Sequence, residues 1–125
     1  VAHLIETQIP LEVNPTSNLC LKVYPDFSQH PLRRLWDAGV YLTVNSDDPP
    51  MFNTTLTAEY GVLVNHFAFT PAELERISLN AVAAAAPLGL TSAARQQMAA
   101  DFRAQFAQLR QTLALQNNEA SHAGA

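Results

Sequence analysis

Val40-Tyr41-Leu42-Thr43-Val44-Asn45-Ser46-Asp47-Asp48-Pro49-Pro50 is the stretch whose reading decides the fold. Residues 40–44 form an apolar, β-branched run that reads as a buried strand. It ends in a polar cluster holding two adjacent carboxylates and two prolines. Parallel α/β folds place their chemistry where strands end this way, at the C-terminal rim of the sheet. Adjacent aspartates repel each other unless a cation or a hydrogen-bond donor claims at least one of them. The corner is therefore the candidate site, and the rest of the chain is its scaffold.

Upstream of the corner, Val1 to Thr7 reads as the end of a helix and Ile9 to Val13 as a short strand, with Pro10 tolerable at its start. Asn14 to Asn18 is expected to be a polar loop, and Tyr24 to Ser28 to be irregular. Pro31 at a first helical turn, followed by Leu32, Leu35 and Trp36, predicts a helix ending at Gly39. The order helix, strand, loop, helix, strand is the alternation of a parallel α/β sheet.

Downstream the chain turns helical. Thr57 to His66 reads as one helix, carrying Tyr60, Val62, Leu63 and Val64, with Phe67 just beyond. Thr70-Pro71-Ala72-Glu73 is a helix start with Thr at N-cap, Pro at N1 and Glu at N3, a capping box. Leu74, Ile77, Ala81, Val82 and Ala85 are the expected buried stripe, and Pro87 and Gly89 the stop. Thr91 or Ser92 opens a last helix with Met98, Phe102, Phe106, Leu109 and Leu113 along one side, read as core. Residues 1–115 are assigned to the folded part, and 116–125, small and polar without periodicity, to a disordered tail.

Composition narrows the function. The chain has 125 residues, 48% of them hydrophobic and 14% charged, enough apolar material for a core and too little charge for disorder. A net charge of −4 with no Lys/Arg cluster gives no footprint for nucleic acid. No apolar run approaches the roughly 20 residues of a membrane span, and no signal peptide is visible. The single Cys20 leaves no internal disulfide and no Cys-based zinc site, and the expected location is cytoplasmic. The chain starts at Val1 in helix-like sequence and is expected to begin inside a larger protein.

Asp47 and Asp48 read in two ways. They suit a metal, or a hydrogen-bond donor on a substrate; Asp before Pro also serves as an N-cap or turn residue. His3, His30, His66 and His122 lie far apart, with no spacing typical of a local metal site, and read as structural or exposed. The hydroxyls and amides of Asn14, Thr16, Ser17 and Asn18 would share the rim with Asp47 and could hold it in orientation. Glu12, a carboxylate in a short apolar strand, is costly if buried unpaired and calls for a cation or imidazole. Lys22, Arg33 and Arg34 are the candidates within the chain, none obviously placed, and a partner outside this chain is the alternative.

Three stretches together resemble a known family. They are Leu11 to Asn18, then His30-Pro31-Leu32, then Asn45 to Phe52 with Leu56, Glu59 and Tyr60. In that order and spacing they resemble the C-terminal part of the adenosine/adenine deaminase family, and Glu73 to Ala85 with Leu79-Asn80-Ala81 resembles its following helix. The resemblance covers residues 1 to 110 or so and implies an α/β fold. That fold is about the seventh and eighth β/α units of a (β/α)8 TIM barrel, followed by C-terminal helices. It implies one zinc ion and hydrolytic loss of the purine 6-amino group, adenosine giving inosine and ammonia. Zinc suits this reaction because it lowers the pKa of bound water towards ~7.

Carried over by position, Asp47 resembles the catalytic aspartate that ligates zinc and orients the attacking hydroxide. Asp48 resembles the residue that binds purine N7. Glu12 and Ser17 resemble residues surrounding the metal and its catalytic histidine. Asn14 departs from the family, which usually has Cys there. The family's His ligands, its proton-shuttling Glu and its catalytic His come from segments upstream of Val1. A barrel needs about 250 residues, and two strands would leave bare edges. The expectation is therefore a deaminase portion, inactive alone, that requires the remainder of the barrel or a second chain. The alternative is a non-catalytic or split structural subunit. The expected small-molecule partner is a purine nucleoside; adenine and 6-aminodeoxyfutalosine are the alternative substrates. Phe52 to Leu56 resembles the nucleoside-type members more than the free-base ones.

Overall fold

Two short β-branched segments flanked by amphipathic helices can bury their apolar faces only by layering helices on strands. The computed structural model describes the backbone of residues 1–85 and 89–122 and the side chains as far as residue 113. The chain divides into two compact units, Val1–Ala84 and Ala85–Ala125. The first holds α1 (Ala2–Thr7), β1 (Leu11–Val13), α2 (Pro15–Cys20), α3 (Leu32–Asp37), β2 (Leu42–Val44), α4 (Pro49–Phe52), α5 (Leu56–Phe67) and α6 (Pro71–Ala84). The second holds α7 (Ser92–His122).

β1 and β2 pair in parallel, Leu11 opposite Leu42, Glu12 opposite Thr43 and Val13 opposite Val44. Parallel pairing puts both carboxyl ends on one rim. Leu11 N donates to Tyr41 O at 2.8 Å and Asn45 N to Val13 O at 3.1 Å, so the ladder runs past both strand ends. Val13, Leu42 and Val44 point into one core with Leu32, Trp36, Val40, Leu63, Phe67, Phe69 and Ile77. Leu32, Leu42, Leu63 and Ile77 have no exposed surface. Gly39 takes φ +83°, which ends the α3 segment and turns the chain into β2.

α6 begins with the expected box: Glu73 N donates to Thr70 Oγ1 at 3.3 Å, and Thr70 N to Glu73 Oε2 at 2.9 Å. It is tied to β2 at both ends of one residue, since Asn80 Nδ2 donates to Leu42 O at 2.9 Å and Tyr41 Oη to Asn80 O at 2.8 Å. The buried stripe is narrower than expected. Ile77 and Val82 are buried and Leu74 is half-buried, whereas Ala81 is exposed. In α5, Val64 is likewise exposed.

Thr91 caps α7, accepting from Ala94 N at 3.1 Å. Phe102 and Phe106 stack at 6.1 Å, one turn apart. Met98, Leu109 and Leu113, expected in a core, are exposed. The helix runs on to His122, through residues 116–122 where a disordered tail is expected. No Gly or Pro interrupts the chain there before Gly124. Pro87 and residues 123–125 lie outside the described residues.

Candidate active site

The rim is built by the two turns that follow the strands. The first is a helix where a loop is expected: Asn14-Pro15 starts α2, with Asn14 at the N-cap position and Pro15 at N1. Asn-Pro is itself a helix-start signal, outweighed in the sequence by the polar run after it. The Asn14 side chain does not cap. With its amide turned to satisfy its neighbours, Nδ2 donates to Asn45 O at 3.1 Å, joining the two turns. Ser17, one turn into α2 and 2% exposed, donates from Oγ to Asp47 Oδ2 at 2.7 Å.

Asp47 sits at φ 58°, a left-handed conformation that Asp tolerates better than most residues. Asp48 returns to extended backbone and caps α4, its Oδ1 accepting from Met51 N at 3.2 Å. Each carboxylate thus has its own donor, one a buried hydroxyl and the other a helix N–H. Both remain exposed. Asp47 Oδ1 and Asp48 Oδ2 take no donor among the described residues.

Glu12 departs from expectation. It is exposed, and its nearest partner is Asn45 Nδ2 at 3.4 Å. Among the described residues no cation pairs with Glu12; Arg33 instead forms a fork with Glu73 at 2.9 and 3.2 Å and pairs with Asp37. With its side chain in water, Glu12 carries no burial penalty that a cation must offset. Asn45 completes the corner, its Oδ1 accepting from Ser46 N at 2.8 Å.

Of the histidines, His30 is built into the fold. His30 is 4% exposed; its Nδ1 accepts from Leu32 N at 3.1 Å, and Nε2 lies 2.9 Å from Asn18 Oδ1. Those contacts make Nε2–H the donor, and burial holds the ring's pKa below its ordinary value. His66 is exposed, against Phe27 at 4.5 Å. Among the described residues no three His, Cys, Asp or Glu side chains converge as a metal set. The donor chemistry of Asp47, one oxygen held and the other uncommitted, suits a single metal ligand, but these residues alone do not make a metal centre. A pocket of about 240 Å³ beside β1, lined by Glu12, Asn14, Asn18, Tyr24, His30 and apolar neighbours, adds no further ligand set.

The sequence carries Glu59 only as part of a resemblance, and the structure buries it beside the corner. Glu59 has no exposed surface; Thr54 Oγ1 donates to its Oε1 at 2.6 Å and Thr16 N to its Oε2 at 3.1 Å. The signal is present in the sequence: Glu59, Leu63 and Phe67 recur at i, i+4 and i+8 and are the three buried positions of α5. A carboxylate in that apolar stripe must be bonded inside the fold.

Residues 1–104 match the family model described as adenosine deaminase. The chain belongs to the adenosine deaminase family. Over 85 residues the chain is 49% identical to an adenine deaminase of Sinorhizobium medicae, covering 68% of this chain and 26% of that relative. An adenine deaminase of Agrobacterium fabrum is 48% identical over 82 residues, or 66% of this chain and 25% of the relative. Among solved structures, an adenine deaminase from Arthrobacter aurescens superposes with a TM-score of 0.76 at 25% identity, covering 83% of this chain and 31% of that one. An amidohydrolase from Burkholderia ambifaria with bound zinc gives 0.78 at 27%, covering 91% and 31%. The chain thus spans about a quarter to a third of the length of these proteins. Its two parallel β/α units with their helices are the C-terminal portion of a (β/α)8 barrel.

Proposed function

We propose that the protein carrying this chain is a hydrolytic purine deaminase that removes the 6-amino group of adenine. In this reading Asp47 supplies one ligand to a zinc ion and Asp48 contacts the base. The observation that carries it is the Ser17–Asp47 bond, 2.7 Å between the turns that follow two parallel strands, with Asp47 Oδ1 left uncommitted. Zinc, when bound, would supply a water made acidic enough to attack the purine ring at neutral pH. What this chain does is narrower. Ser17 holds Asp47 Oδ2 and the α4 N-terminus holds Asp48 Oδ1, leaving the other oxygen of each carboxylate without a donor among the described residues. The remaining zinc ligands and the proton-transfer groups belong to residues outside these 125, so the chain alone is inactive.

Adenine takes precedence over adenosine because the relatives at 46 to 49% identity are adenine deaminases, although Phe52 to Leu56 reads as nucleoside-type. The test is ammonia release by the complete protein from adenine, adenosine and a 6-amino-futalosine compound. Turnover of adenine with the highest kcat/KM is expected. Preference for adenosine would return the substrate to the nucleoside class, and inertness on all three would end the deaminase reading. Of the described residues, no helix is long and apolar enough to cross a membrane.

A further inference from the structure

We propose that Glu59 is the positioning residue of this rim: it locks the turn after β1 to the turn after α4, and so sets Ser17 against Asp47. The proposal rests on the reading of Asp47 given above, and it deepens that reading by naming what holds the corner together. Glu59 stands on the inward stripe of α5 with no exposed surface. A buried carboxylate survives there only if its oxygens are bonded. Its two donors come from two different turns. Thr16 N, 3.1 Å away, is an otherwise unpaired N–H in the first turn of α2, and the next residue is Ser17. Thr54 Oγ1, 2.6 Å away, belongs to the turn that closes α4, and its own N–H donates back to Pro49 O at 3.2 Å, beside the Asp48 cap. One carboxylate therefore grips both flanks of the Asp47-Asp48 corner without touching either aspartate. α2 packs against both α4 and α5, so losing the grip frees the helix that carries Ser17. An apolar residue of similar size would fill the space but strand the Thr16 N–H and the Thr54 hydroxyl.

The test compares Glu59→Gln, Glu59→Leu, Ser17→Ala and the double variant Ser17→Ala/Glu59→Leu in the complete, zinc-loaded protein. The readouts are kcat, KM, zinc content and thermal stability, with kinetics measured per folded molecule well below every Tm. Glu59→Leu is expected to lower kcat about 10–100-fold, the range for groups that orient a metal ligand, with a smaller change in KM. Glu59→Gln should keep most of the activity, because its amide oxygen can accept from Thr16 N–H while Thr54 turns to accept from the amide nitrogen. The double variant should lose no more than the worse single variant, since both act on one link. A lower Tm for Glu59→Leu with kcat per folded molecule unchanged would overturn the proposal, as would losses that multiply in the double variant. If the wild-type protein deaminates no 6-aminopurine, the functional reading fails by itself. A crystal structure of Glu59→Leu then decides the tie: Ser17 Oγ displaced from Asp47 Oδ2 supports it, and the bond retained at 2.7 Å overturns it.

Discussion

Replacing Glu73 by Ala should be among the most damaging changes possible on a partly exposed residue, because one carboxylate serves two helices. Its Oε1 accepts from Arg33 Nη2 at 2.9 Å and Trp36 Nε1 at 3.0 Å; its Oε2 accepts from Arg33 Nη1 at 3.2 Å and Thr70 N at 2.9 Å. Trp36 is 8% exposed, so its N–H would be left without a partner, at a cost of about 1–2 kcal/mol. Loss of the capping box adds about 0.5–1 kcal/mol. The Arg33 pair, on a side chain 34% exposed, is discounted for solvent to below about 1 kcal/mol. The sum is roughly 3 kcal/mol, measured as the change in urea unfolding free energy between wild type and Glu73→Ala at pH 7. A pH series makes the test specific. Glu73 is held down to about 2, first by the Arg33 hydrogen bonds and then by the Thr70 N–H. Its folded pKa lies below the unfolded one, so its contribution is complete above about 4.5 and is lost as pH falls towards 2. Wild type and variant should therefore converge in that window. A difference under about 0.5 kcal/mol at pH 7, or one independent of pH from 5 to 2, would refute the reasoning.

Two other perturbations follow from the same structure. Ala68 ends α5 at φ 53°, where a Cβ is disfavoured, so Ala68→Gly should stabilise the protein by about 0.5–1 kcal/mol in urea unfolding; destabilisation would show that the cap is not left-handed. Burial depresses the His30 pKa, so the folded state favours the neutral ring; stability should decline as pH falls from above 6.5 through the lowered value, and His30→Gln should flatten that decline in unfolding measured between pH 8 and 5.

The strands and the α6 start were legible in the sequence because local chemistry dictates them. Val40 to Val44 has no alternative use for its β-branched side chains, and the spacing of Thr70 and Glu73 is itself a hydrogen-bond geometry. α2 was not legible as a helix: its Pro15-Thr16-Ser17-Asn18 core has turn composition, and what holds it is Glu59, 43 residues away from Thr16. Glu12 is exposed, with Asn45 Nδ2 as its partner among the described residues. Strand position implies burial only when the facing layer is present, and in this chain that face meets water. Ser17 lies against Asp47 because parallel strands bring their carboxyl ends together whatever lies between them. Which of the two aspartates caps a helix was not legible, since it depends on the left-handed turn at Asp47.

The most direct test of the central claim is metal content and adenine turnover of the complete protein, wild type beside Asp47→Asn. The account predicts one zinc per wild-type molecule, and in the variant lost zinc affinity together with a fall in kcat larger than the roughly 10–100-fold of a merely orienting group. An Asp47→Asn protein that keeps its zinc and its turnover would contradict it.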